Sequence, residues 1–165
     1  MLSLKQFNNS DNDAAQQAIA HCVALANWQQ QLVAHRPFCD SAQLYSVAHE
    51  LTLGWGEDEL LLALSAHPRI GEKPEGATSE AQASRREQAA VQESDYQSRE
   101  AIRVGNQRYE QRFHRVFLIR AKGRSPTDIL NALTERLCLS DAEDIEVSLE
   151  QLREITLLRL QEAIQ

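Results

Sequence analysis

Leu60-Leu61-Leu62-Ala63-Leu64-Ser65-Ala66-His67-Pro68-Arg69-Ile70-Gly71 is an apolar run that meets a histidine, a proline and a glycine. The residue before a proline is pushed out of the α region, so a helix here ends at or just before His67. Pro68 fixes its own φ and donates no N–H, and Gly71 permits a tight turn. An imidazole is thereby held at the end of a buried helix on stiffened backbone, a rigid placement that suits a catalytic side chain. The plainer reading is a histidine that complements the helix macrodipole at its C-terminus. The leucine run is apolar almost all round, which predicts a helix at the centre of a bundle.

Upstream, Asp13 is the expected cap of a helix over about 14–26, with Ile19, Cys22, Val23 and Ala26 on one face. Arg36-Pro37-Phe38 is a stop, and Ser41 is a good N-cap for the next helix. There Leu44, Val47, Ala48, Leu51 and Trp55 form a stripe at helical spacing. Downstream, residues 71–79 are a loop, and Ser79 caps a helix to about Gln92. Another helix runs from about Asp95 to His114, with Ile102, Tyr109 and Phe113 on one side. Val116-Phe117-Leu118-Ile119 is a short buried extended segment. Ser125, Pro126 and Asp128 are an N-cap, an N1 proline and an N3 acid. The last helix covers about 141–164. The expectation is an all-α fold: one domain over 1–165, a helical bundle of about seven or eight helices.

The chain has 165 residues, enough for one domain with a real core. Lys and Arg number 17 against 24 Asp and Glu, a net charge of −7, which argues against nucleic acid and anionic membrane surfaces as partners. No apolar run is long enough to span a bilayer, and the first residues have no signal-peptide character. Cys22, Cys39 and Cys138 are too few and too scattered for a disulfide framework or a zinc ribbon, so the cytoplasm is the expected compartment. His49-Glu50 lacks the second histidine of a zincin helix, and no metal site is expected.

Three groupings carry chemistry. Ser84, Glu87 and Gln88 stand at i, i+3 and i+4 and share a helix face that offers a hydroxyl, a carboxylate and an amide, while Arg85 and Arg86 point elsewhere. Ile119-Arg120-Ala121-Lys122-Gly123 leads into a helix N-terminus, where free N–H groups and nearby cations suit a small carboxylate or a planar amide. It lacks P-loop spacing. Arg159 falls on the inward stripe of the last helix with Ile145, Leu149, Leu152, Thr156 and Ala163. A cation there is expensive unless paired, so Arg159 is either bonded to a buried carboxylate or directed into a ligand pocket.

Four motifs in order, His67-Pro68-Arg69-Ile70-Gly71, Ser84-Arg85-Arg86-Glu87-Gln88, Phe117 to Ser125 and Ile155 to Leu160, resemble the 2-oxo-4-hydroxy-4-carboxy-5-ureidoimidazoline (OHCU) decarboxylase family. Phe7-Asn8 and Arg36-Pro37-Phe38 also fit, so the resemblance runs over nearly the whole chain. It implies an all-helical enzyme of urate breakdown, without cofactor, that converts OHCU to (S)-allantoin and carbon dioxide. It implies His67 as the catalytic acid/base and Pro68, residues 84–88, residues 119–123 and Arg159 around the substrate. It also implies a homodimer. The residues suit the chemistry. Backbone N–H groups of 119–123 can stabilise an enolate. His67 can move a proton on or near the 4-hydroxyl or C4. Glu87 can orient His67 or hold ureido N–H groups, with Ser84 and Gln88 on the ring amides. The competing readings are a non-catalytic ligand-binding helical module and a cyclic ureide hydrolase. A hydrolase usually recruits a metal to activate water, so sensitivity to a chelator separates it from the decarboxylase. Ligand binding without turnover would mark the module.

Overall fold

The computed structural model describes residues 1–72 and 76–165. Among them ten helices and no strand occur: α1 Leu4–Asn9, α2 Asn12–Ile19, α3 Ala26–Ala34, α4 Ser41–Glu50, α5 Glu57–Leu64, α6 Ser79–Glu87, α7 Ala89–Gln92, α8 Tyr96–Phe113, α9 Pro126–Leu137 and α10 Asp141–Ala163. The all-α expectation holds, with more and shorter helices than expected. Contacts divide the chain into two compact units: residues 1–63 with 153–165, and residues 64–152. No described helix is long and apolar enough to cross a membrane.

In the first unit the caps differ from expectation by one or two residues. Asp11, not Asp13, caps α2 by accepting from Ala14 N at 2.8 Å, and that helix stops at Ile19. Asp40, not Ser41, caps α4 through Gln43 N at 2.8 Å. Phe7, Trp28, Leu32 and Leu44 are buried, and Trp28 Nε1 donates to Ala48 O at 3.1 Å. Asn8 and Phe38 exchange two bonds: Nδ2 donates to Phe38 O at 3.0 Å and Phe38 N donates to Oδ1 at 2.9 Å. In α5, Leu60 and Ala63 are buried, but Leu61 and Leu62 are 48% and 58% exposed. An unbroken leucine run carries no periodicity, so it hid which face turns inward.

In the second unit Thr78, not Ser79, caps α6, accepting from Ala81 N at 3.1 Å. The expected helix to Gln92 breaks at Gln88, whose ψ of 10° leaves the helical range, and resumes as α7. The α9 start is as expected, with a reciprocal Ser125–Asp128 capping box and Pro126 in its first turn. Ser140 and Glu143 form the same reciprocal pair before α10. Helices α8 and α9 approach closely at Gly105, where an added Cβ would lie 2.8 Å from Leu133 Cδ1. Ile102, Tyr109 and Phe113 face one core with Phe117, Ile119, Ile129 and Leu133.

Inside this unit lies a buried ionic cluster. Asp144 is fully buried and accepts from Tyr109 OH, from Arg115 Nη2 at 2.6 Å and from Arg136 Nε at 2.6 Å. Arg136 also donates to Ser148 Oγ at 2.6 Å and to Leu118 O at 2.8 Å. Burial, then the hydrogen bond to Asp144, pushes the Tyr109 phenol above its ordinary range. Asp144→Asn keeps the shape but leaves the buried Arg136 guanidinium without an anion and Arg115 with only the exposed Asp141 carboxylate. We expect it to cost about 3–5 kcal/mol of unfolding free energy in urea melts, against less than about 1 kcal/mol for Asp141→Asn, whose carboxylate is exposed.

Burial pushes the Cys22 thiol up to about 12, although the Arg159 charge pulls the other way. Cys39 and Cys138 are exposed. A thiol reagent at neutral pH should therefore modify two cysteines in the native protein and the third only on unfolding, read by mass spectrometry.

Candidate active site

The histidine of the opening motif follows directly on α5. His67 N donates to Leu64 O at 3.1 Å, and His67 and Pro68 are half-buried. Two buried side chains hold the backbone just beyond. Asn106 Nδ2 donates to Ile70 O at 2.7 Å, and Gln88 Oε1 accepts from Gly71 N at 3.0 Å. Gly71 has φ +92°, a left-handed conformation that side chains resist. The Ile70 side chain is buried in the same core as Ile119 and Ala121. The histidine loop and the 119–123 loop are thus anchored on one apolar cluster.

A cleft of about 290 Å³ is lined by His67 and Pro68 and, across from them, by Thr78, Glu80, Ala81 and Ser84. It opens at the N-terminal turn of α6, where the macrodipole favours negative charge. Of the expected Ser84–Glu87–Gln88 face, Ser84 and Gln88 are buried and Glu87 is half-buried. Ser84 lines this cleft and Glu87 does not; Glu80, one turn before Ser84, does. Gln88 gives its oxygen to Gly71, and its Nε2 has no protein acceptor among the described residues. Arg85 is half-buried and donates to Gly76 O at 2.9 Å, and Arg86 is exposed. Sequence reasoning missed Thr78 and Glu80 as cleft residues. Thr78 competes with Ser79 as a cap, and Glu80 stands at i−4 from Ser84, so both signals were present in the pattern.

Residues 115–121 form neither helix nor strand. Ile119 and Ala121 are buried, Arg120 is half-buried, and Lys122 and Gly123 are exposed, with Gly123 at φ +79°. Arg120 N donates to Gln151 Oε1 at 2.9 Å, and Arg124 N closes a turn on Ala121 O at 3.1 Å. The N–H groups of Ile119, Ala121 and Gly123 have no protein acceptor among the described residues. Unpaired peptide donors on a braced loop are what a developing oxyanion requires.

Arg159 belongs to the first unit. It is 3% exposed, as its place on the inward stripe implied, and its Nη1 donates to His21 O at 2.9 Å. A backbone carbonyl thus answers part of its charge. Among the described residues no three His, Cys, Asp or Glu side chains come together as metal ligands.

Comparison with known proteins gives the chain a family. The family model for OHCU decarboxylase matches residues 8–161. A 2-oxo-4-hydroxy-4-carboxy-5-ureidoimidazoline decarboxylase from Haloferax volcanii is 27% identical over 163 residues, covering 98% of this chain and 95% of the relative. The uric acid degradation bifunctional protein of Bacillus sp. (strain TB-90) is 22% identical over 98% of this chain, which matches 32% of that protein. In fold, the chain resembles the crystal structure of an OHCU decarboxylase in the presence of (S)-allantoin, with a TM-score of 0.71, 23% identity, and 88% of this chain and 96% of that one covered. A crystal structure of (S)-allantoin synthase also gives a TM-score of 0.71, at 16% identity, over 99% of this chain and 54% of that one. With nearly its whole length matched, the chain belongs to the OHCU decarboxylase family.

Proposed function

We propose that this chain converts OHCU to (S)-allantoin and carbon dioxide, with His67 carrying the proton. Family membership makes it a carboxy-lyase of urate degradation. The observation that supports the site is the shared cleft of His67, Pro68 and Ser84, in a unit whose 119–123 loop holds unpaired N–H donors.

The reaction breaks the C4–carboxylate bond. Its electron pair moves into the ring toward C5 and the ring nitrogen. Counting atoms corrects one expectation: C4 ends as a carbonyl carbon of allantoin and carries no hydrogen. The new C–H bond therefore forms at C5, the ureido-bearing carbon, and not at C4. The net change moves the 4-hydroxyl proton to C5 and adds one solvent proton to the ring nitrogen. His67 takes the first proton and delivers it to one face. The N–H groups of Ile119, Ala121 and Gly123 hold the enolate oxygen. Ser84 and the Gln88 N–H₂ bind the ring amides. Glu87 orients His67 or takes the ureido group, and Arg85, Arg86, Arg120 and Lys122 supply positive charge around an anionic substrate. A homodimer in the cytoplasm, with one domain over 1–165, is part of this reading. Exposed Leu61 and Leu62 are apolar surface that pairing would cover.

Ser84→Ala should weaken binding of (S)-allantoin by roughly 3–10-fold, the worth of one neutral hydrogen bond. Arg108→Ala, at an exposed position on α8, should change it less than twofold by the same titration calorimetry.

OHCU is labile and decarboxylates unaided, so product alone is weak evidence. The unassisted route passes through a planar intermediate that water protonates from either face. A single fixed donor works from one face. Fresh OHCU with the wild-type protein and a chelator should give optically active (S)-allantoin in excess, followed by time-resolved circular dichroism. His67→Asn should lose about 10²–10⁴-fold in enzyme-dependent rate and return the product toward racemic. Racemic product from wild type at every enzyme concentration would overturn the decarboxylase reading.

A further inference from the structure

Asn106 lies on the buried face of α8, in register with Ile102, Tyr109 and Phe113. It is 6% exposed, and its two polar atoms are treated unequally. Nδ2 donates to Ile70 O at 2.7 Å, while Oδ1 is buried with no partner among the described residues. Keeping half of a buried amide unsatisfied costs stability, and an apolar side chain of similar volume would avoid that cost. A polar group held at such a disadvantage points to the one bond it does make. That bond fixes the Ile70 peptide, two residues after Pro68 and three after His67. Pro68 has a locked φ, so a shift at Ile70 has little slack to absorb it before the His67 backbone moves. On the other side of the same turn, Gly71 is tied to Gln88 Oε1 and, at 3.4 Å, its carbonyl accepts from Gln92 Nε2. A second bond from α8 reaches this loop, Arg69 Nε to Glu110 Oε1 at 2.7 Å, but it is partly exposed and screened by water.

We propose that Asn106 is a positioning residue for the reaction: by clamping the Ile70 carbonyl from α8 it sets the place of the His67 ring in the cleft. It does not line that cleft; it lines a separate groove with Arg69, Ile70 and Gly71. The proposal rests on His67 as the proton carrier.

The test replaces Asn106 with Leu, which removes the clamp and the orphan acceptor together. Glu110→Gln, which weakens the exposed bond to the same loop, is the comparison. If the Leu variant does not fold, Asn106→Ser, whose hydroxyl is too short to reach Ile70 O, is read the same way. Wild-type turnover of OHCU is measured first. Asn106→Leu should keep the wild-type melting temperature and the wild-type KM while kcat falls about 10–100-fold, as expected for a displaced catalytic group. The pH profile of kcat should shift with it. Glu110→Gln should change neither. In the ligand-free protein, NMR should show faster exchange of the Gly71 N–H and a changed His67 ring titration in Asn106→Leu, with His67→Asn identifying the ring among the five histidines. Wild-type kcat, pH profile and Gly71 exchange in Asn106→Leu would overturn the proposal. So would a loss of kcat that only tracks a loss of melting temperature. If wild type shows no catalysis, the decarboxylase reading fails by itself, and the exchange and titration still decide whether Asn106 clamps the loop.

Discussion

The Asp144 carboxylate, fully buried with Tyr109, Arg115 and Arg136 around it, is the constraint on which the second unit depends. Apolar side chains tolerate small slips against one another. A carboxylate with three donors does not, because any slip strands a charge away from water. The three donors come from α8, from the residue after its C-cap, and from α9, while the acceptor is on α10. One group thus fixes the mutual placement of three helices. Arg136 extends the constraint to the backbone by holding Leu118 O at 2.8 Å, one residue before the 119–123 loop. Its guanidinium also lies 4.9 Å from the centre of the Phe117 ring, so the segment is held by charge and by contact.

What the sequence disclosed was what is settled locally. The Ser125–Pro126–Asp128 start of α9 needs only three residues and their own backbone, and it forms as expected. The inward stripe of α8 was legible because Ile102, Tyr109 and Phe113 repeat at helical spacing. Where two cap residues stood close together, as with Asp11 and Asp13, Asp40 and Ser41, or Thr78 and Ser79, intrinsic preference did not choose. The choice depends on which oxygen sits three residues before an N–H left over by the rest of the packing. Asp144, Arg115 and Arg136 were invisible for a different reason. Single charged residues on amphipathic helices look like surface, and only tertiary proximity turns them into a core.

The site divides in the same way. The helix end at His67 and Pro68 was legible because it follows from backbone chemistry that neighbouring residues impose. Ser84 was found by helical spacing, but the carboxylate that shares its cleft is Glu80 at i−4, and not Glu87 at i+3. Both are allowed by the period, and the direction in which α6 faces the histidine loop is a tertiary fact. Arg159 stands out in the sequence as a cation on an apolar stripe. The same pattern holds for Asn106, an amide on the apolar stripe of α8, so helical spacing alone is enough to single it out.

The histidine loop and the 119–123 loop are held by one device. Neither belongs to a sheet, so no ladder of hydrogen bonds supports them. Instead, long side chains rooted on helices reach out and satisfy loop peptide groups: Asn106 to Ile70 O and Gln88 to Gly71 N for one loop, Arg136 to Leu118 O and Gln151 to Arg120 N for the other. These bonds consume some peptide groups and leave others. Arg120 N is spent on Gln151, while the N–H groups on either side of it, Ile119 and Ala121, have no acceptor among the described residues. A donor fixed in advance stabilises new negative charge without reorganising when the charge appears, which is where electrostatic catalysis gains most. The helices therefore hold both loops through side chains that bond loop peptide groups. That gives a physical reason for an amide at Asn106, on the apolar stripe of α8, where packing alone would favour something apolar.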